Sequence, residues 1–249
     1  KVFIASREAL KSYTQSYLNA DAFEDYCPNG LQIEGKEEIN KIISGVSANL
    51  ALIERAIDEK ADAIFVHHGL FWKNDSQTIR GAKRRKIALL LENNINLFAY
   101  HLPLDAHPDV GNNVQLGKLL GINNMSPVVN SLLWTGQIES SVNEFGTEIE
   151  NALQRAPLII GDQSSNIRRI AWCTGAAQGF IDQAVELGVD AYLTGEASEQ
   201  TPATALENDL IFISAGHHAT ERYGVQALCK HLSAEFGCQH QYIEIDNCV

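Results

Sequence analysis

The stretch INKIISGVSANLALIERAIDEKADAIFVHH, residues 39–68, is answered by IRRIAWCTGAAQGFIDQAVELGVDAYLTGE, residues 167–196, an offset of 128 with no gap. Ile42 meets Ile170, Ile53 meets Ile181, Ala56 meets Ala184, and Asp62-Ala63 meets Asp190-Ala191. Each copy opens on a short apolar run, IISGV in the first. In that copy Leu52, Ile53, Ala56 and Ile57 then share one face of a helical period, and a second run, ADAIFV, closes it. Downstream, RRKIALLLENN reads as a helix and INLFAY as a third strand. Strands alternating with helices predict a parallel sheet covered on both faces.

Further on, LIFISAGHHATE answers INLFAYHLPLD at an offset of 116, setting His101 on His217 and Asp105 on Glu221. NNVQLGKLL and YGVQALCKHL also correspond. Any two strand-helix-strand units share an apolar pattern, but identities matched through both halves favour a duplication. The period is far too long for a solenoid repeat. The expected fold is therefore α/β: two similar α/β lobes from an internal duplication, with sheets covered by helices. The boundary is placed near Ser126-Pro127, giving lobes 1–126 and 127–249. Residues 127–166 read as a lobe-specific portion: a strand in LLWTGQIES, a helix in VNEFGTEIENALQRA and a strand in PLIIGD. QHQYIEIDN reads as a closing strand that either lobe can take.

With 249 residues, 45% of them hydrophobic, the chain can bury a sizeable core. No apolar run reaches the roughly 18 residues of a membrane-crossing helix. The opening KVFIASREALKSYTQSYLNA reads as an amphipathic helix capped at Ser6, without the apolar region and cleavage site of a signal peptide. Five cysteines without a C-x-x-C pair predict a reducing, cytoplasmic setting and argue against zinc held on thiolates. A net charge of −12 disfavours nucleic acid as a partner. One basic run, Arg80 with Lys83, Arg84, Arg85 and Lys86, reads first as a solvated helix face and second as a phosphate-binding patch. P-loop and G-x-S-x-G patterns are absent, which argues against ATP-driven work and a serine-hydrolase elbow.

Six of the eight histidines fall in three clusters: His67-His68, His101 with His107, and His217-His218. Each cluster follows an expected strand, and ligand sites in open α/β sheets lie beyond the carboxyl ends of the strands. Asp105 and Glu221 each stand four residues after a histidine. One histidine is ordinarily a core or surface residue; three clusters at the same edge, two with a spaced carboxylate, point to a metal site. Adjacent side chains on a regular strand face opposite ways. At the end of a strand, before Gly69, the pleat can break, so that His67 and His68 diverge toward two nearby centres. His217 and Glu221 have the spacing of one helix face. In HLPLD, Pro103 argues against a regular helix, so Asp105 is expected to arrive through a loop. His218 is the doubtful member of its pair.

All these donors are nitrogen and oxygen, which suits zinc, iron, nickel, cobalt or manganese. Paired divalent metals activate a water and stabilise a developing oxyanion, which is hydrolytic chemistry.

The motifs CPNGLQIEG, VHHGLFW, HLPLDAHPDVGNN, VDAYLTGE and AGHHATER together resemble the Nif-three-like family and its YbgI-like bacterial branch over nearly the whole chain. The resemblance implies two α/β lobes with a dinuclear metal centre in the cleft between them, and a toroidal homohexamer. It implies two divalent metal ions per subunit on His67, His68, Asp105, His217 and Glu221, with Glu221 bridging. His101 resembles a near-site residue, and is the expected proton-relaying catalytic group. Members are often named GTP cyclohydrolase I type 2 homologues, which implies hydrolytic opening of the guanine imidazole ring, though a fold does not fix a substrate. Asn29 and Gln32 are candidates to hydrogen-bond a base, against the alternative that Pro28-Asn29-Gly30 is only a turn. Trp72 is a candidate to stack on a base, against the alternative of core packing. The competing functions are a phosphoesterase on the same centre and a non-enzymatic metal-binding scaffold or adaptor.

Overall fold

A computed structural model describes residues 4–249; residues 1–3, the start of the amphipathic segment, lie outside the described residues. The chain forms two compact units. One holds the residues up to Gly111 together with Gly224–Asp246; the other holds Asn112–Tyr223 and Asn247–Val249.

The first unit begins with strand β1 (Ala5–Ser6) and helix α1 (Arg7–Tyr17). Ser6 caps α1, its hydroxyl accepting the Ala9 N–H at 3.1 Å. Then follow β2 (Gly30–Ile33), β3 (Glu38–Ile39), β4 (Lys41–Ser44), α2 (Leu50–Asp58), β5 (Ala63–Val66), α3 (Gly81–Glu92), β6 (Asn96–Ala99) and α4 (Leu102–Ala106). The second unit contains α5 (Asn112–Leu119), β7 (Asn123–Pro127), β8 (Trp134–Ser141), α6 (Val142–Leu153), β9 (Leu158–Ile160), β10 (Asn166–Trp172), α7 (Ile181–Glu186), β11 (Ala191–Thr194), α8 (Thr201–Glu207), β12 (Ile211–Ser214) and α9 (His217–Thr220). Within α10 (Arg222–Phe236) the chain returns to the first unit, where β13 (Gln239–Tyr242) follows.

The main sheet of the first unit has the order β13-β4-β5-β6-β2, parallel except for β2. Its central strands β5 and β6 are buried at every position. Alternate residues feed two cores, as the pleat requires. Ile42, Ala63, Phe65 and Phe98 pack with Leu10 of α1 and Leu228 and Leu232 of α10. Ile43, Ile64, Val66 and Leu97 pack with Leu52, Ile53 and Ala56 of α2 and with Ile87 and Leu90 of α3. The closing strand read in QHQYIEIDN is β13, which pairs in parallel with β4.

The sheet of the second unit has the order β7-β8-β10-β11-β12-β9, with β10, β11 and β12 parallel. Its faces are also filled alternately. Ile170, Trp172, Leu193 and Ile213 meet Val142, Phe145, Ile149 and Leu153 of α6. Ala171, Tyr192 and Phe212 meet Ile181 and Ala184 of α7 and Ala205 of α8. The lobe limit read near Ser126-Pro127 falls in β7, which pairs with β8 inside this unit. Among the described residues, no helix is long and apolar enough to cross a membrane.

Candidate metal site

In the first unit the histidine pair leaves the end of β5. The N–H groups of His67 and His68 both reach the Val46 carbonyl, at 2.9 Å each, so the alternating ladder ends there. The His68 carbonyl then accepts the Ala48 N–H at 2.8 Å. Two successive donors on one acceptor bring both rings to one side of the strand end, with centroids 4.7 Å apart. Gly69 follows the pair directly. A Cβ there would collide with the Gln32 side-chain amide and with Ala99, so glycine is required for close approach.

Each ring is held from behind. His67 is fully buried, and its Nδ1 lies 2.9 Å from the Tyr100 carbonyl. A carbonyl only accepts, so Nδ1 carries a hydrogen, and in the neutral ring the lone pair is on Nε2. That Nε2 faces Asp105 Oδ1 at 3.3 Å. The Nδ1 of His68 lies 2.9 Å from the Ser47 hydroxyl. One ring nitrogen from each of His67, His68 and His101 lies within 4.8 Å of the other two.

Asp105 comes from α4 and not from a loop, which corrects the expectation from HLPLD. Pro103 occupies the first turn of this short helix, where a missing N–H costs no hydrogen bond and the fixed φ suits helix entry. The Asp105 N–H bonds back to the His101 carbonyl at 3.1 Å, and the carboxylate is buried.

His101 precedes that helix. Its Nδ1 is 2.7 Å from Asp25 Oδ1 and its backbone N–H is 2.7 Å from Asn29 Oδ1. Asp25 also accepts from the Leu102 N–H at 2.9 Å and the Asn29 side-chain amide at 3.0 Å. Burial alone would raise the Asp25 carboxyl. His101 and these donors outweigh burial and hold it down at about 2. The histidine is thereby fixed with hydrogen on Nδ1 and Nε2 directed away from Asp25.

The sequence does not single out Asp25, because its partner lies 76 residues away and no spacing links them. Asn29 and Gln32 do not stand ready for a base. Asn29 is committed to Asp25 and His101, and the Gln32 amide donates to the Pro28 carbonyl at 2.9 Å and accepts the Leu70 N–H at 2.9 Å. His107 takes a structural place: its Nδ1 accepts from the Asp109 and Val110 N–H groups, and its Nε2 meets the Tyr17 carbonyl at 3.1 Å. Burial and then the Asp25 charge push the Cys27 thiol up to about 12, which favours the thiol over the thiolate.

In the second unit, His217 opens α9 and Glu221 caps its end. His217 Nε2 lies 3.1 Å from Glu221 Oε2, and its Nδ1 lies 2.6 Å from Glu196 Oε1. Burial would lower this imidazole, but Glu221 and then Glu196 raise it to about 9. Glu221 is only 3% exposed, so the chain has buried a carboxylate that needs cationic company. Gly175, at φ +75°, lies against it, and a Cβ there would strike the Glu221 carboxylate. The alignment of Glu196 with His68 points to this position without giving its role; the fold shows it holding His217. His218 is buried, with its backbone N–H on the Val249 carbonyl at 2.9 Å.

The donor set suits divalent metal. Nδ1 of His67, His68 and His217 is tied back by a carbonyl, a hydroxyl and a carboxylate, the arrangement that orients a ligating histidine. In the two units His67 and His217 each present Nε2 to a buried carboxylate.

A model of the Duf34/NIF3 (NGG1p interacting factor 3) family matches residues 5–248. A protein of Allochromatium vinosum named "GTP cyclohydrolase 1 type 2 homolog" is 50% identical over 242 residues, covering 96% of this chain and 95% of that one. A solved structure described as "protein ybgI, unknown function" is 46% identical, with a TM-score of 0.95 over 98% of this chain and 100% of that one. The structure of TTHA1606 from Thermus thermophilus is 31% identical, with a TM-score of 0.91 over 98% of this chain and 100% of that one. Matched from end to end in sequence and in fold, the chain belongs to the Duf34/NIF3 family.

Proposed function

We propose that the protein is a dinuclear metal-dependent hydrolase of a nucleotide or related heterocycle, with opening of the guanine imidazole ring as its named form. The observation that carries the proposal is the paired geometry of Nε2 and carboxylate. In one unit it is His67 with Asp105 at 3.3 Å, in the other His217 with Glu221 at 3.1 Å. A metal ion can take the place of a proton between an imidazole Nε2 and the buried carboxylate beside it, and the backward hydrogen bonds point each nitrogen at the place a cation would occupy. His67, His68, Asp105, His217 and Glu221 are the proposed ligands of two divalent ions, in a cleft between two related lobes, with Glu221 bridging.

Support for the duplication is specific. Ile42 pairs with Ala63 and Ile170 with Ala191, both pairs offset by the same 128 residues. Asp62 accepts the Asn40 and Lys41 N–H groups, and Asp190 accepts those of Arg168 and Arg169, at the same offset. The third strands differ by one position: Ala63 faces Asn96 and Ala191 faces Ile211, an offset of 115. Gly216 is then the extra residue that restores the offset of 116 between His101 and His217.

Bound metals would polarise water and stabilise an oxyanion developing on the ring. His101, with Nδ1 held by Asp25, keeps Nε2 to take a proton from the attacking water and return it to the departing ring nitrogen. The sum is GTP plus water giving a formamidopyrimidine nucleotide. The name carried by the relative from Allochromatium vinosum favours this substrate class. The wider proposal keeps the cytoplasmic setting expected from the cysteines and the homohexamer implied by the family resemblance. A phosphoesterase on the same metals is the second reading, separated by release of inorganic phosphate.

The test is metal content per chain, by elemental analysis of protein purified without chelator, together with GTP turnover by the same sample. About two metals with a formamidopyrimidine product is the expected result. Glu221→Ala should lose metal, whereas His240→Ala, whose imidazole bonds Ser44 at 2.7 Å, should keep it. Equal occupancy in the two variants would remove the ligand assignment. Metal without turnover would leave a metal-binding scaffold.

A further inference from the structure

Beside His101 lies an open groove of about 300 Å³, built entirely from the first unit. Its walls include Tyr26, Cys27, Phe71, Trp72, Lys73 and Asp75. Trp72 stands perpendicular to the His101 ring at 5.1 Å between centroids and lies 6.0 Å from that of His68. Tyr26 approaches the same imidazole at 6.4 Å. The groove therefore adjoins the histidine cluster.

Two features set it apart from ordinary surface. Tyr26 is 62% exposed, and Trp72, which lines the same groove, is half-buried. Its position is fixed nevertheless, because the Lys73 N–H bonds the Tyr26 carbonyl at 2.7 Å and ties the two sides together. Phe71 is braced by the Lys83 ammonium, 5.3 Å from its ring centroid, and that ammonium also donates to the Ser76 carbonyl at 2.9 Å. Asp75 is set in a turn, its N–H on the Trp72 carbonyl at 3.0 Å. Aromatic side chains that line one groove together with an exposed carboxylate suit a flat ring that carries N–H donors.

We infer that this groove binds the heteroaromatic ring of the substrate, with Tyr26 and Trp72 as its stacking surfaces and Asp75 accepting from ring N–H groups. The inference rests on the hydrolase reading for its substrate class, but the groove requires no metal. Stacking on an aromatic side chain is sequence-tolerant and is lost on truncation to alanine. Lys73 and the basic residues at the start of α3 lie nearby in the chain and offer positive charge for an anionic tail.

The experiment is calorimetric titration of chelator-treated protein with guanosine, and with inorganic triphosphate as the ring-less probe. Wild type should bind guanosine. Trp72→Ala and Tyr26→Ala should each weaken it about ten-fold, while Trp72→Phe stays within about three-fold. Because Trp72 is half-buried, the exposed Tyr26 provides the variant that leaves the fold alone, checked by an unchanged melting curve. Triphosphate affinity should not respond to either alanine. If wild type does not bind guanosine, or if both alanine variants bind it as wild type does, the inference is overturned, whatever the metal-loaded protein does with GTP. If guanosine binding depends on Trp72 and Tyr26 but no metal supports turnover, the groove stands and the hydrolase reading fails.

Discussion

Asp25 decides what His101 can do. Its carboxylate accepts the Nδ1 hydrogen at 2.7 Å, and its charge persists because its carboxyl is held at about 2. In Asp25→Asn the amide can turn its NH2 toward Nδ1, and the hydrogen then moves to Nε2. The expected outcome is a tautomer exchange at His101, visible in the 15N shifts of the metal-free imidazole, with turnover reduced about 10²-fold or more and metal content unchanged. An unaltered tautomer would reduce Asp25 to a packing residue. The reach of the sequence at this scale is clear. His67, His68, His217 and Glu221 could be read because histidines after apolar runs and a four-residue spacing are local patterns. Asp25 could not, because the link from residue 25 to residue 101 exists only once β2 pairs with β6 and brings Asn29 against His101. Asn29 and Gln32 are legible as polar residues in a turn, but whether a side-chain amide serves a ligand or its own backbone is decided by tertiary neighbours.

The strands are legible and their junctions less so. Apolar runs at Ile42 and Ala63 become β4 and β5, since a strand buried on both faces needs an unbroken apolar sequence. The HLPLD segment shows the limit. Pro103 reads as a residue excluded from a helix interior, and the chain uses it at the helix start, where it is favoured. Between the strands, Asp62 is the clamp of the first sheet. It accepts the Asn40 and Lys41 N–H groups at 2.9 and 3.0 Å and the Lys36 ammonium at 2.7 Å. Burial pushes this carboxyl up, yet Lys36 and the two backbone donors outweigh burial and hold it below its usual value. Since the folded value is the lower one, the stabilisation is complete above the unfolded value of about 3.9 and fades as pH falls through the folded one. Asp62→Asn should destabilise the protein by about 1–3 kcal/mol at pH 7, read from denaturant titration. The difference between wild type and variant should shrink as the titration is repeated below about pH 4. A difference that stays constant with pH would mean that the charge contributes nothing.

At the scale of the molecule, the return of Gly224–Asp246 to the first unit is the least legible feature. Strand β13 reads Gln-His-Gln-Tyr, with no apolar alternation to show which sheet it joins, because it is an edge strand and only partly buried. Assembly is further still from a single sequence, since a surface that meets a second copy differs little in composition from one that meets water. The proposed homohexamer has a checkable electrostatic consequence. Each chain carries a net charge of −12, so six copies drawn into one ring repel one another. Screening over a Debye length of about 10 Å at 0.1 M salt relieves that repulsion, and bound divalent metal reduces the charge itself. Light scattering should therefore give a mass near six times 27.4 kDa, with the hexamer favoured as salt rises from low ionic strength. Chelation should move the midpoint of that salt dependence upward, because it returns positive charge to solvent and leaves the carboxylates uncompensated. A mass of one chain across the whole salt range would remove the ring, while leaving the metal ligands and the ring-binding groove to be judged by their own tests.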